Sequence, residues 1–432
     1  MPNSKASFYF CDLFAGIGGF ALALEKYGGS PAVSVELDHV ASSTYERNFG
    51  VAAQGDVVEV AKNPESLPAF SVLVGGFPCQ PFSKSGAQRG VGEARGNLFD
   101  SIAAIVEAKK PLVVVLENVR NLAGPNHRPE LDRIVETFRS MGYLVSSEPS
   151  ELSPHKLPKE NGGSPQSRPR IFITATYAPD LGAEYPADLT PAVLNSDFPD
   201  QDWNLVADLP LDSPATSPPG LSALETAWID AWDSLIRELR ANNVLAIPGF
   251  PLWTDYWVNT LPREVESYPA WKKSFVMKNY DFYMANSQLI EAWLLSTNLR
   301  SFPKTKRKFE WQAGDLSSPW DGLIQFRPSG IRVKPATHAP ALVAMNQTSI
   351  FGPYRRRLTV REVARLQGFP EGYQFDHQPE AAAFKQLGNA VHVGVVAKVF
   401  ESHCLRDAAI LQRTSEGNAI LQAIREVSSQ NK

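Results

Sequence analysis

The chemistry this sequence offers is concentrated in four side chains. Cys79 stands in GGFPCQPFS (75–83), directly after the apolar run 71–74. Its flanking prolines stiffen the backbone that carries the thiol, and a thiolate is an intrinsically strong nucleophile. A free cysteine is often only a small buried apolar residue, but the prolines and polar neighbours make that burial less convincing. A second apolar run, 112–116, ends in Glu117-Asn118-Val119. A carboxyl group at that place can hold a ring edge or move a proton. A third element, GSPQSRPR (163–170), carries Arg168 and Arg170, whose forked guanidiniums suit a carboxylate and a polar ring edge. Each element alone also fits an ordinary surface loop.

Two strand ends that present reactive groups need a sheet to align them. Apolar runs at 8–13, 32–36, 71–74, 112–116 and 171–175 alternate with helical patterns at 19–27, 39–48, 98–109 and 130–141. Runs such as LVVVL, apolar on both faces, suit buried strands of a parallel sheet. The rhythm predicts an open, doubly wound α/β domain, whose ligands bind beyond the carboxyl ends of the strands. After residue 175 the rhythm fails. Residues 176–262 hold thirteen acidic residues against Arg237 and Arg240, whereas 263–335 hold twelve basic against seven acidic. Helical patterning returns near Arg355. The expected organisation is a catalytic and cofactor-binding domain over 1–178 completed by 380–432, an inserted domain over 179–352, and a connecting helical segment over 353–379.

The first strand runs into DLFAGIGGF (12–20), where glycines let a backbone approach a small molecule closely. Glu36, twenty residues beyond Gly16, ends the second strand and suits ribose hydroxyls. Asp56, in Gly-Asp-Val, suits an adenine amino group. The spacing G-x-G-G departs from the dinucleotide fingerprint, so a nucleoside cofactor without a pyrophosphate is expected. The same loop is also an ordinary tight βα turn.

Composition narrows the classes further. At 432 residues, 43% hydrophobic and 20% charged, the chain reads as a globular enzyme of about two domains. A net charge of −4 excludes a surface that is basic throughout but not a local basic patch. Cys11, Cys79 and Cys404 lie far apart, without metal-ligand spacing, so no metal is expected and a reducing cytoplasm fits. No run reaches a membrane span. Asp12 interrupts the apolar stretch 8–24, which disfavours a signal peptide.

Taken in order, DLFAGIGGF, GGFPCQPFS, ENV, PQSRPR, RRLTVREVARLQGFP and QLGNAV resemble the motif set of the DNA cytosine-5 methyltransferases of prokaryotic restriction-modification type. The resemblance covers roughly residues 8–175 and 353–400. It implies a Rossmann-like S-adenosylmethionine-dependent methyltransferase domain with an inserted, smaller target-recognition domain. It implies Cys79 as nucleophile at carbon 6 of a cytosine, Glu117 at ring nitrogen 3 and the exocyclic amine, and Arg168 and Arg170 positioning Glu117 and binding the base carbonyl. A stacked cytosine cannot present itself to these groups, so the base must leave the duplex. For S-adenosylmethionine it implies Phe14, Gly16 and Gly18 at the methionine portion and Glu36 at the ribose. Leu37, Asp56 and Val57 would then meet the adenine, with Asn97, Leu98, Asn389, Ala390 and Val391 completing the pocket. Gln80, Ser83 and Arg89 would lie near the DNA on a closing loop.

The expected DNA-reading region is 263–352, with Arg327, Arg332 and Lys334 foremost, although Trp311 and Phe326 are as readily core of the smaller domain. Pro340-Ala-Leu342 stands where many relatives of this family carry Thr-Leu, and His392-Val-Gly lacks the prolines common after GNAV. The expected partners are double-stranded DNA and a restriction endonuclease of the same specificity, with the enzyme itself a monomer. An RNA-directed methyltransferase and a catalytically silent DNA-binding protein are the rival readings.

Overall fold

The computed structural model describes residues 6–53, 55–78, 98–184, 189–212, 220–244, 247–342 and 348–430. The chain divides into two compact units. One comprises Met1–Trp203, Pro340–Asn346 and Val363–Lys432; the other comprises Asn204–Ala339 and Gln347–Glu362.

The first unit is built on β1 (Phe8–Leu13), β2 (Gly29–Val35), β3 (Val72–Gly76), β4 (Val113–Val119), β5 (Tyr143–Val145), β6 (Ser150–Leu152), the two-residue β7 (Gln166–Ser167) and β8 (Arg170–Tyr177). Strand order is β2-β1-β3-β4-β8-β5, with β6 also pairing β8. The first four strands are mutually parallel, whereas β8 runs antiparallel to β4, β5 and β6. A parallel neighbour needs a long crossover. Helix α5 (Arg128–Ser140) carries the chain from β4 to β5, between which β8 is inserted antiparallel to both.

Both sheet faces are buried, as the unbroken apolar runs require. Phe10, Val72, Val74, Val113 and Val115 pack toward α1 (Gly19–Glu25) and the helix Val393–Arg406. Cys11, Leu13, Leu73, Val114 and Leu116 share the other core cluster with residues of α4 (Leu98–Lys109) and α5. Helices α2 (His39–Phe49) and α3 (Val57–Val60) follow β2, each capped by an aspartate, Asp38 and Asp56. These caps satisfy backbone amides that a helix start leaves unpaired.

The second unit is a six-stranded sheet of order β15-β14-β11-β12-β10-β9. Its strands are β9 (Leu252–Trp253), β10 (Lys308–Trp311), β11 (Leu323–Arg327), β12 (Gly330–Lys334), β14 (Ile350–Phe351) and β15 (Arg356–Arg357); the short β13 (Ala339–Pro340) lies outside it. Helices Ala223–Ala241, Ala270–Ala285 and Ser287–Thr297 supply Trp232, Tyr283 and Trp293 to an aromatic core shared with Trp257, Phe309 and Trp311. Trp311 and Phe326 therefore belong to the packing of this unit. Among the described residues no helix is long and apolar enough to cross a membrane, and no cluster of metal-ligating side chains occurs.

Candidate active site

Strands β3 and β4 run side by side to the same edge of the sheet, with Gly76 opposite Glu117. A Cβ on Gly76 would sit 3.5 Å from Glu117 Oε2, an ordinary van der Waals contact, so the Glu117 carboxyl lies directly beside the end of β3. Three residues beyond Gly76 comes Cys79, which lies outside the described residues, as do Gln80, Ser83, Arg89 and Asn97. The backbone leading there is fixed by Asn118, whose Nδ2 donates to the Phe77 carbonyl at 3.0 Å.

Glu117 is only 12% exposed, and Arg170 Nε stands 2.8 Å from its Oε1. Burial drives the Glu117 carboxyl above its ordinary value, against the pull of Arg170 and Arg168. A carboxyl whose proton is held more tightly than usual and which faces an arginine is placed for proton exchange with a bound base. Arg168 makes no hydrogen bond to Glu117. Its Nη1 donates to the Leu342 carbonyl at 2.7 Å, and its Nη2 to the carbonyls of Gly388 and Ala390, each at 2.9 Å. Burial and the neighbouring Arg170 push its guanidinium down to about 9. Arg168 thus ties the chain around 388–390 to the sheet, beside the pair it accompanies in sequence.

At the tip of β1 the backbone turns through Phe14 (φ 58°), Gly16 (φ 55°) and Gly18 (φ 81°). A Cβ on Gly18 would lie 2.2 Å from the Phe49 ring, so sterics as well as φ require glycine there. Glu36 pins this loop: its Oε2 accepts from Gly16 N at 2.8 Å and its Oε1 from Asp38 N at 2.7 Å. The Tyr373 hydroxyl donates to the Ile17 carbonyl. Val391 closes over the loop, since a Cβ on Gly19 would be 2.8 Å from its Cγ2.

Comparison with known proteins identifies what this crevice belongs to. The family model of the C-5 cytosine-specific DNA methylases matches residues 8–404. Type II methyltransferase M.AluI of Cellulosimicrobium cellulans is 40% identical over 98% of this chain and 97% of its own. The chain belongs to the C-5 cytosine-specific DNA methylases. M.HhaI of Haemophilus parahaemolyticus is a more distant relative, 27% identical over 90% of this chain and 91% of its own. Among solved structures, DNMT2 of Spodoptera frugiperda aligns over 92% of this chain and 99% of its own, at 16% identity and a TM-score of 0.47. As a DNA (cytosine-5) methyltransferase, the enzyme takes its methyl group from S-adenosylmethionine.

The glycine-loop crevice of this methylase fits that cofactor. S-adenosylmethionine carries a sulfonium and an ammonium, and the crevice is rich in carboxylates. Asp12, at the end of β1, is fully buried, and neither of its oxygens has a hydrogen-bond partner. Burial, and then Glu36, drive its carboxyl well above the ordinary range. An orphaned buried carboxylate is costly until a cation or donor reaches it. Asp56 Oδ1 accepts from the Val58 amide at 2.9 Å, and among the described residues its second oxygen has no hydrogen-bond partner. Val57 is buried and Leu37 is 65% exposed, so a ring covered by Leu37 would bury apolar surface now in water. Leu98 is half-buried at the start of α4, while Ala390 and Val391 are buried and Asn389 is exposed.

Two of these groups escape a reading of the sequence. Asp12 shows there only as an interruption of an apolar run, although an acid inside a buried strand is itself a signal. Asn118 shows only as the middle of a motif, because its partner lies forty-one residues away.

Proposed function

We propose that this methylase modifies carbon 5 of a cytosine within one short sequence of double-stranded DNA, by covalent addition of Cys79 to carbon 6 of a base swung out of the helix. The observation that carries this reading is the Glu117–Arg170 pair at the tip of β4, beside the end of β3 that leads to Cys79. Elimination supports the choice of thiol. Cys11 and Cys404 are fully buried, and burial pushes both thiols far above their ordinary value, which disqualifies them as nucleophiles.

The chemistry follows from the groups. Carbon 5 of cytosine is a poor nucleophile, and addition of the Cys79 thiolate to carbon 6 makes it enamine-like. Glu117, whose carboxyl burial shifts toward holding a proton, can donate to ring nitrogen 3 as charge develops there, while Arg170 keeps the carboxyl aimed and stabilises the charge it acquires. Bound S-adenosylmethionine supplies an electrophilic methyl group for carbon 5. Loss of the carbon 5 proton then expels the Cys79 sulfur as thiolate and restores the aromatic ring. Arg168 supports this arrangement by holding 388–390 in place.

In this reading the inserted region 179–352 recognises the target, with Arg327, Arg332 and Lys334 on its sheet, and Gln80, Ser83 and Arg89 act on the DNA from the segment after Cys79. The relatives' names, type II methyltransferases M.AluI and M.HhaI, support a role beside a restriction endonuclease of the same specificity. A cytoplasmic monomer fits that role.

DNA containing 5-fluorocytosine tests the covalent step, because its fluorine cannot be eliminated. With cofactor, wild type should form a denaturation-resistant adduct and Cys79→Ser should not. An adduct formed equally by that variant would overturn the assignment. Faster transfer to tRNA than to any duplex DNA would overturn the substrate.

A further inference from the structure

The sheet of the second unit has an unequal pair of faces. Phe309, Trp311, Ile324, Ile331 and Val333 are buried in the aromatic core. The polar residues Lys308, Glu310, Gln325, Arg327, Arg332 and Lys334 alternate with these and turn the other way, beside the buried Leu323, and all six are half-buried. Four of those six are cations, against one carboxylate. That carboxylate is crowded. Glu310 Oε2 lies 2.8 Å from both Nε and Nη2 of Arg332 and 3.4 Å from Nη1 of Arg327, and Oε1 accepts from the Gln312 amide. Burial and then Arg332 push the Lys334 amine below its ordinary value, with Arg327 adding to the effect and Glu310 opposing it. Packing like charges this closely costs folding energy, so the face is shaped for an anionic partner.

The cations on it are not equivalent. Arg332 is neutralised along one whole edge by Glu310. An ion pair without net charge gains little from a phosphate, and the carboxylate would repel one. Its merit is direction: a guanidinium fixed by a carboxylate presents its remaining donors in one orientation. Among the described residues Arg332 Nη1 has no protein partner. Such a fork suits a neutral edge with two adjacent acceptors, which in the major groove is O6 and N7 of guanine. Arg327, more exposed and held at one longer contact, and Lys334 keep the net charge that phosphates attract.

We propose that Arg332, held by Glu310, reads one guanine edge of the target duplex, while Arg327 and Lys334 hold the neighbouring phosphates. This rests on the reading above that the methylase acts on a specific DNA sequence.

Bisulfite sequencing of DNA from cells expressing the wild type first gives the methylated sequence. Duplexes are then made in which each guanine of that sequence is singly replaced by 7-deazaguanine, which lacks the N7 acceptor. At one position the replacement should cost wild type roughly 10–100-fold in kcat/KM, and Arg332→Met, which has no donor for the guanine edge, should no longer respond to it. Glu310→Gln should respond less than wild type. Lys334→Met should weaken binding to target and unrelated duplexes alike and make the salt dependence shallower by about one unit of slope. The proposal is overturned if Arg332→Met stays as sensitive as wild type to every replacement. It is also overturned if that variant loses affinity equally for target and unrelated duplexes. A wild type that methylates no duplex at all brings down the underlying reading as well, an outcome distinct from either of these.

Discussion

Arg170 Nε and Glu117 Oε1 meet at 2.8 Å across β8 and β4, antiparallel neighbours in which Arg170 stands opposite Val119 and Glu117 opposite Phe172. Side chains two residues apart in register lie on one face of a sheet, so the pair follows directly from reversing β8. A parallel β8 in the same register could not bring Arg170 to this tip of the crevice.

The pair predicts a pH signature. Burial holds the Glu117 carboxyl above its ordinary value, and Arg170 provides the largest downward pull. A proton-donating Glu117 loses its proton as pH rises through the shifted value, so kcat falls on the alkaline side. Removing Arg170 deletes the pull. In Arg170→Ala that falling limb should move to higher pH, while kcat at its best pH drops about 100-fold. Single-turnover methyl transfer across a pH series measures both.

Asp12 predicts opposite effects on the free and the loaded enzyme. Its carboxyl is driven up by burial and by Glu36; the fold holds its proton more tightly than the unfolded chain does. Stability of the free enzyme should therefore decline as pH rises above the ordinary carboxylate range. Asp12→Asn removes that dependence and should raise stability near neutrality by about 1–3 kcal/mol. It should also weaken S-adenosylmethionine by roughly tenfold, about 1.4 kcal/mol. Thermal melts across pH, paired with calorimetric titration of the cofactor, would show a failure in either half.

Asn118 predicts a split between binding and turnover. Its side chain holds the Phe77 carbonyl two residues before Cys79, and its oxygen accepts from the Val119 amide at 2.8 Å within β4. Asn118→Ala should cost about 1–2 kcal/mol of stability, lower kcat at least tenfold, and leave the cofactor Kd unchanged. Equal losses in Kd and kcat would place Asn118 in the cofactor site.

How much of this was legible depends on how local each signal is. The bounds of β1 and α4 coincide with the expected 8–13 and 98–109, because alternation and helical period are written in neighbouring residues. Glu117 and Arg170 could be singled out by type and motif. The reversal of β8 could not, since an apolar run reads the same in either direction. Nor could the hold of Arg168 on the carbonyls of 342, 388 and 390, which spans 174 residues and more. Trp311 illustrates the converse: it stands near basic residues, yet its reading as core of the smaller domain agrees with the structure, where it is buried with its Nε1 on the Gly314 carbonyl at 3.0 Å.

Two buried histidines predict how the enzyme responds to acid. His392 Nδ1 accepts from the Val395 amide at 3.2 Å, and its Nε2 faces the Ser164 hydroxyl at 3.0 Å. His403 Nδ1 faces Arg406 Nη2 at 3.2 Å, and its Nε2 faces the Thr176 hydroxyl at 2.9 Å. Because Nδ1 faces a donor in each case, both rings are neutral with the proton on Nε2. A second proton would point at a backbone amide in one and at a guanidinium in the other. Burial accordingly lowers His392 to about 3 and His403 to about 4, from an ordinary 6.5. The unfolded chain takes up these protons first. Stability is therefore full above 6.5 and falls as pH drops toward the shifted values, by about 1.4 kcal/mol per pH unit for each ring. His403→Gln keeps a donor for Thr176 but cannot take up a proton. Urea unfolding between pH 7 and pH 4 should show an acid loss in this variant that is shallower than wild type by about 1.4 kcal/mol per pH unit, and an unchanged slope would refute the assignment to His403.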